Sequence, residues 1–177
     1  MSIKNSYPEK PIVPYYKTDL GSMLQIENIL KLLSAPKEVK AAALVIARNE
    51  CANGHKVICA TNISGVQSDS GRWASIWDKH IIATCITPEN GTGKTRGFVV
   101  FDSLQSSCDF LLDRVENKGL FIGEHIDSRF YKGDVTTPEQ LAVAYWQEWV
   151  QGNTTQPPAQ AVKDFVSMYN QSILKFS

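Results

Sequence analysis

The run Ala41-Ala42-Ala43-Leu44-Val45-Ile46-Ala47-Arg48-Asn49-Glu50 constrains this chain more than any other stretch. It is a near-continuous series of apolar helix formers, and a helix apolar on every side belongs in a core rather than on a surface. It ends abruptly on a carboxylate. Cys51-Ala-Asn-Gly54-His then reads as a stop, because Asn and Gly take the left-handed conformation that closes a helix at little cost. A buried helix thus delivers Glu50 to its C-terminal rim, where a cleft can open. A carboxyl with apolar packing on one side is stabilised in its neutral form, the state a general acid needs near neutral pH. Most Glu residues near helix ends are simply solvated, so that plainer reading stands beside the catalytic one.

The length of 177 residues suits a single domain, 1–177, able to bury a sizeable core. With 43% apolar and 20% charged residues, extended disorder and fibrous repeats are excluded. Eighteen basic side chains balance eighteen acidic ones, so the basic excess typical of a nucleic-acid partner is missing. No apolar run approaches the roughly 20 residues that cross a bilayer, and membrane insertion is not expected. The start, Met-Ser-Ile-Lys-Asn-Ser-Tyr-Pro-Glu-Lys, has no signal-peptide core, which predicts synthesis in the cytoplasm without export by the general route. Cys51, Cys59, Cys85 and Cys108 fit no zinc spacing and do not cluster with His55, His80 or His125. Neither a metal nor another cofactor is expected. The cysteines are either free buried thiols or, in an oxidising compartment, include a Cys51–Cys59 bridge across the turn.

Along the chain, residues 1–20 carry three prolines among three tyrosines and should form an extended arm pinned by its aromatics. A first helix is expected over Ser22 to Leu33, and Pro36 opens the central one, which ends near Glu50. From Lys56 to Phe101 the period changes to short β-prone runs, Val57–Ala60, Ile81–Ile86 and Gly97–Phe101, separated by turn material. Asp102 or Ser103 caps a further helix through Leu104, Cys108, Leu111, Leu112 and Val115. Thr137-Pro-Glu-Gln140 is a capping box leading through Tyr145, Trp146 and Trp149 to Gly152, and a last helix contains Val162, Phe165, Val166 and Tyr169. The fold class is α+β, mainly α, a helical core with a small β-hairpin flap after the central helix.

Ile81 to Ile86 followed by Thr87-Pro-Glu-Asn-Gly-Thr-Gly93-Lys94-Thr95 imitates a strand and phosphate-binding loop. The imitation fails at Pro88, which stands where the motif needs Gly and has no N–H to offer a phosphate. The residues after Thr95 also read as a strand, whereas the motif opens a helix. A hairpin turned at Asn90-Gly91, with Glu89 near its tip, fits better.

Three words of the sequence carry a family likeness: Ala47-Arg-Asn-Glu50, Asn62-Ile-Ser-Gly65-Val66-Gln67, and Thr87-Pro-Glu89 with Phe98-Val-Val-Phe101-Asp-Ser-Leu-Gln-Ser-Ser. Over residues 36 to 115 this order resembles the lysozyme-like superfamily of peptidoglycan hydrolases, in particular bacterial glucosaminidases. In those enzymes a helix-ending Glu precedes N-x-x-G-I, a T-x-E hairpin and an F-x-x-Y-x-S-x-x-x-S run. Phe101 replaces the family's Tyr, and Ser68-Asp-Ser-Gly-Arg-Trp73 is an addition. The resemblance implies a lysozyme-like fold and cleavage of peptidoglycan glycan strands, by an N-acetylglucosaminidase in preference to a muramidase. In size and in lacking a signal the chain is similar to type VI secretion effectors. That likeness implies action in the periplasm of a target cell and a cognate immunity protein covering the cleft. A non-catalytic glycan-binding module and a housekeeping or phage muramidase are the alternatives.

Glycoside hydrolysis generally needs one group to protonate the leaving oxygen and a second to serve the water, the nucleophile or the cation-like transition state. Glu50 is the acid. Glu89, matching the family's hairpin acid, leads Asp69 and Asp102 for the second role, unless the substrate's acetamide takes it. Trp73, Trp77, Tyr145, Trp146 and Trp149 offer faces on which sugars stack, although Trp146 and Trp149 follow core spacing. Tyr145 matches a cleft tyrosine of the family. Asn62 and Gln67 are placed with the substrate-binding set, Asn62 alternatively bonding backbone or serving as a turn residue. His55 and Arg72 lie near enough to the acids in sequence to contact substrate, with solvated surface the plainer reading, and Trp73, Trp77 and Arg72 are the expected anchors for an inhibitor.

Overall fold

The computed structural model describes residues 10–68, 73–88 and 92–177. The elements are β1 (Ile12–Pro14), β2 (Lys17–Thr18), α1 (Leu24–Leu32), α2 (Lys37–Glu50), β3 (Val57–Ile58), a 3-10 turn (Ser75–His80), β4 (Ile81–Pro88) and β5 (Thr95–Phe101). They continue with α3 (Leu104–Asn117), β6 (Glu124–Asp127), β7 (Lys132–Val135), α4 (Pro138–Tyr145), a π-helical segment (Trp146–Gln151) and α5 (Ala159–Ile173), closed by a 3-10 turn (Leu174–Phe176). The protein is a mixed α+β fold. Its chain divides into two compact units, Met1–Ile26 with Ala47–Phe110, and Glu27–Ile46 with Leu111–Ser177.

In the first unit the expected arm becomes part of a sheet. β1 pairs in parallel with β4, Ile12 opposite Thr84 and Pro14 opposite Ile86, and β4 pairs antiparallel with β5 from Ile81–Phe101 to Pro88–Thr95. Pro11 and Pro14 cannot donate hydrogen bonds, which suits an edge strand, and Pro11 O accepts from Thr84 N at 2.9 Å. Tyr15 packs on Phe98 with ring centroids 6.1 Å apart, while Tyr16 is exposed. On its other edge β5 is met by residues 66–68: Val99 N donates to Val66 O at 3.0 Å and Ser68 N to Gly97 O at 2.9 Å. β5 starts at Thr95, so no helix follows the lysine-bearing loop and the phosphate-loop reading is closed off. The hairpin tip at Asn90-Gly91 lies outside the described residues. Trp73, Trp77, Ile81, Val99, Phe101 and Phe110 form one buried cluster of this unit.

In the second unit, β6 and β7 make an antiparallel hairpin. Thr137 and Gln140 form the expected capping box, Gln140 N donating to Thr137 Oγ1 at 3.2 Å and Thr137 N to Gln140 Oε1 at 3.1 Å. The helix anticipated from there to Gly152 does reach Gly152, but its last turn is π-wound. The winding accompanies two buried polar side chains. Gln147 Nε2 donates to Thr154 O at 2.9 Å. The Glu148 carboxylate accepts from Phe130 N, Tyr131 N and Ser128 Oγ at 2.5, 2.6 and 3.1 Å.

Candidate active site

α2 is buried as its composition requires: Val39, Ala41 to Ala43 and Val45 to Ala47 have no exposure and Leu44 has 1%. Its end is built by main chain that runs left-handed over Ala52, Asn53 and Gly54. Asn53 N returns to Arg48 O and Lys56 N to Cys51 O, each at 2.9 Å, and Arg48 Nε donates to Asn53 Oδ1 at 2.9 Å. Gly54 is required there twice over. Its φ is +90°, and a Cβ would stand 2.5 Å from Ser22 O, where the preceding arm crosses.

Glu50 is thereby left half-buried on the last residue of the helix. Its neighbour is the Asn62–Val66 loop: Gly65 has φ +64°, and a Cβ on it would lie 3.2 Å from Glu50 Oε2. The carboxylate therefore rests close to bare main chain. Asn62 holds that loop in place. Its amide Nδ2 donates to Val66 O and Val99 O, and its Oδ1 accepts from Val66 N, all at 3.0 Å. Ile63 N donates to the buried Ser107 Oγ at 3.4 Å, and Phe101 N to Thr61 Oγ1 at 3.0 Å. The end of α2, the Asn62–Val66 loop, β5 and the start of α3 thus meet at Glu50's side of the first unit.

Several sequence expectations are corrected by this geometry. Asn62 is 1% exposed and its amide serves the backbone on both sides, so it is a clamp for the loop and not a substrate-binding group. Trp73 and Trp77, expected as exposed platforms or inhibitor anchors, are 2% and 7% exposed. Both pack edge-on against Phe110, at 5.9 and 5.4 Å, and Trp73 Nε1 donates to Asp78 Oδ1 at 2.9 Å. A Trp whose N–H finds a carboxylate is stable in a core. Tyr145 is likewise buried, its ring 5.2 Å from that of Phe165, which makes it a packing residue of α4 and α5.

Asp102 and Ser103 sit at the head of α3. Ser103 Oγ accepts from Ser106 N at 3.0 Å, the cap expected there, and Asp102 Oδ2 lies 3.0 Å from His80 Nδ1. Partial burial raises the Asp102 pKa, but hydrogen bonds with Ser106 and His80 outweigh it and hold the carboxyl below its ordinary range. Ser106 Oγ meets the same His80 Nδ1 at 3.3 Å. Ser, His and Asp here share one ring nitrogen, whereas a nucleophilic relay uses both. Ser103 thus caps α3, while the Asp102 carboxylate is engaged by His80 and Ser103.

Asp69, Glu89 and Arg72 lie outside the described residues. Gln67 is half-buried on the strand-like segment opposite Phe98. His55 is exposed and bonds Asp19 at 2.8 Å. Trp146 and Trp149 are half-buried. Two residues escaped the sequence reading. Ser107 is fully buried against the loop that carries Gly65, and its signal is the second Ser of the family run. Ser64 Oγ is buried without a hydrogen-bond partner beside Gly65, and nothing in the sequence distinguishes it from an ordinary loop serine. Among the described residues no group of three or more His, Cys, Asp or Glu is placed to hold a metal ion, and no helix is long and apolar enough to cross a membrane. No protein-family model matches the chain, and neither does any curated protein or solved structure.

Proposed function

We propose that this protein is a lysozyme-like glycoside hydrolase that cuts the glycan backbone of peptidoglycan, with Glu50 as its general acid. One observation carries the reading: a half-buried carboxylate ends a buried helix and lies against the glycine of a loop that an internal Asn clamps to the neighbouring strand. An acid must hold its proton until the leaving oxygen arrives, and it must do so at a fixed position. The buried helix and the clamped loop supply the fixed position. Gly65 adds bare main chain next to the carboxylate, a group of the kind that orients a sugar or a water.

The second role falls to Glu89 first, then to Asp69 or Asp102, or to the substrate's own acetamide. Likeness to glucosaminidases favours a glucosamine reducing end. The effector reading follows from the same likeness. An enzyme that attacks peptidoglycan endangers its producer in the periplasm, and a periplasmic inhibitor that reaches Glu50 would protect it. Trp73 and Trp77 are too buried to anchor that inhibitor, so its contacts fall on the loops around the acid. Co-expression of an exported form with the neighbouring reading frame tests the inhibitor: lysis that the neighbour prevents is expected, and lysis in both cases contradicts it.

Replacing Glu50 by Gln keeps the shape and removes the proton. General acid catalysis is worth about 100-fold to 10,000-fold, so Glu50→Gln should lower glycan release from purified sacculi by at least about 100-fold. Release at the wild-type rate would exclude Glu50 as the acid. A module that grips glycan without cutting it would retain the protein on sacculi and produce no new reducing ends with either form.

A further inference from the structure

Four buried cysteines play no part in that chemistry, and the fold sorts them differently from their sequence spacing. Cys51 donates to Met23 Sδ at 3.9 Å, and burial, first, with the Glu50 charge among the lesser causes, pushes its thiol up to about 11. Cys59 faces elsewhere. It joins Cys85, Ala83 and Val100 in a small buried cluster roofed by Val13, Tyr15, Ile58 and Phe98. The Cys51–Cys59 bridge expected from spacing is therefore not what the fold prepares.

We propose that Cys59 and Cys85 are a disulfide-forming pair, a covalent tie between the turn after β3 and the middle of β4. Three features support it. The two side chains share one apolar cluster, 2% and 0% exposed, with Cys59 Sγ 3.9 Å from Pro14 O while Cys85 pairs with the adjacent Val13. Cys59 and Ala60 are consecutive non-glycine residues at φ +47° and +65°, a strained turn that persists only when its surroundings over-determine it. The Cys59 main chain is also tied to the edge strand's continuation, its N donating to Tyr16 O at 2.9 Å. Burial first, and then the neighbouring Cys59 side chain, push the Cys85 thiol up to about 12.

Burial sets the timing. The attacking species is a thiolate that must reach an outside disulfide, and Cys59 and Cys85 are only 2% and 0% exposed in the folded cluster. Exchange therefore runs while the chain folds and the cluster is open. A small-molecule or protein disulfide is the oxidant. One cysteine thiolate displaces a thiolate from it to give a mixed disulfide, and the second cysteine displaces the other. The two thiol protons pass to solvent and the oxidant leaves as two thiols. The bond closes the 59–85 loop that holds Asn62 and Gly65, so it restrains the segment lying against Glu50 without touching the acid.

Trypsin separates all four cysteines, into 49–56, 57–72, 80–94 and 97–114. The full chain, refolded with mixed reduced and oxidised glutathione, alkylated, digested and mapped by mass spectrometry, should yield 57–72 joined to 80–94, parting on reduction. Recovery of both as separate alkylated peptides, or of 57–72 joined to 49–56 or 97–114, would overturn the pairing. As a second reading, reductant should lower the thermal midpoint of the refolded wild type by several degrees and leave Cys59→Ser unchanged. An equal shift in both would contradict the assignment. If Cys59→Ser does not fold, Cys85→Ser serves in its place. Glycan release with Glu50 intact is scored separately, so loss of the bridge and loss of the hydrolase reading give different results.

Discussion

At the scale of single residues, the site depends on two that have no chemistry of their own. Asn62 satisfies three backbone groups at once, and its removal takes their side-chain partner from Val66 N and Val99 O, while Val66 O keeps Val99 N. Asn62→Ala should cost about 3 kcal/mol, since each orphaned buried group costs about 1 to 3, measured as the shift in a denaturant midpoint. Gly65→Ala meets a left-handed φ and a Cβ 3.2 Å from Glu50 Oε2. It should lose about 1 kcal/mol or more of stability and most of its glycan release, and unchanged activity would show that the loop does not abut the acid. Asp102 makes a pH prediction. Its folded pKa is depressed, so the stability it contributes is full above the unfolded carboxylate value of about 3.9. That contribution is lost as the pH falls through the lower folded value. Asp102→Asn should flatten this acid limb of stability against pH, and an unaltered limb would remove Asp102 from the linkage. Glu50 and Asn62 stood out in the sequence because a helix stop and a turn frame them. Trp73 misled because an indole between turns has the same sequence signature whether it meets sugar or Phe110.

At the scale of elements, α1, α2, α3 and the capping box of α4 were legible because periodicity, proline and capping residues are local signals. β1 was legible only as an extended arm: its pairing partner, β4, lies some seventy residues away. The hairpin β6–β7 was missed because each strand has four residues and only Ile126 and Val135 are buried, too few for a period of two to register. That hairpin is held from outside by Glu148. Glu148→Ala removes the acceptor for Phe130 N and Tyr131 N, and amide exchange at residues 128–135 should accelerate well before global unfolding. Exchange that stays as slow as in the wild type would show that the strand ladder alone suffices. Thr137→Ala should cost about 1 kcal/mol, the usual worth of an N-cap.

At the scale of the molecule, the change from helical spacing to short β-prone runs after residue 56 already gave the mixed α+β class. The two compact units, each assembled from two separate stretches of chain, were not legible, because the sequence holds no linker or composition shift at residues 26, 46 or 110. On the proposed reading the second role stays with Glu89, Asp69, Asp102 or the substrate's acetamide, and the turn residues around Glu89 and Asp69 announced a flap and nothing more. The proposed function therefore rests on Glu50 and the loop against it. Mass spectrometry of purified sacculi digested with the wild type and with Glu50→Gln tests this most directly. New glycan reducing ends, carried by glucosamine, should appear with the wild type and be at least about 100-fold scarcer with the variant. Equal release by both proteins, or none by the wild type, would contradict it.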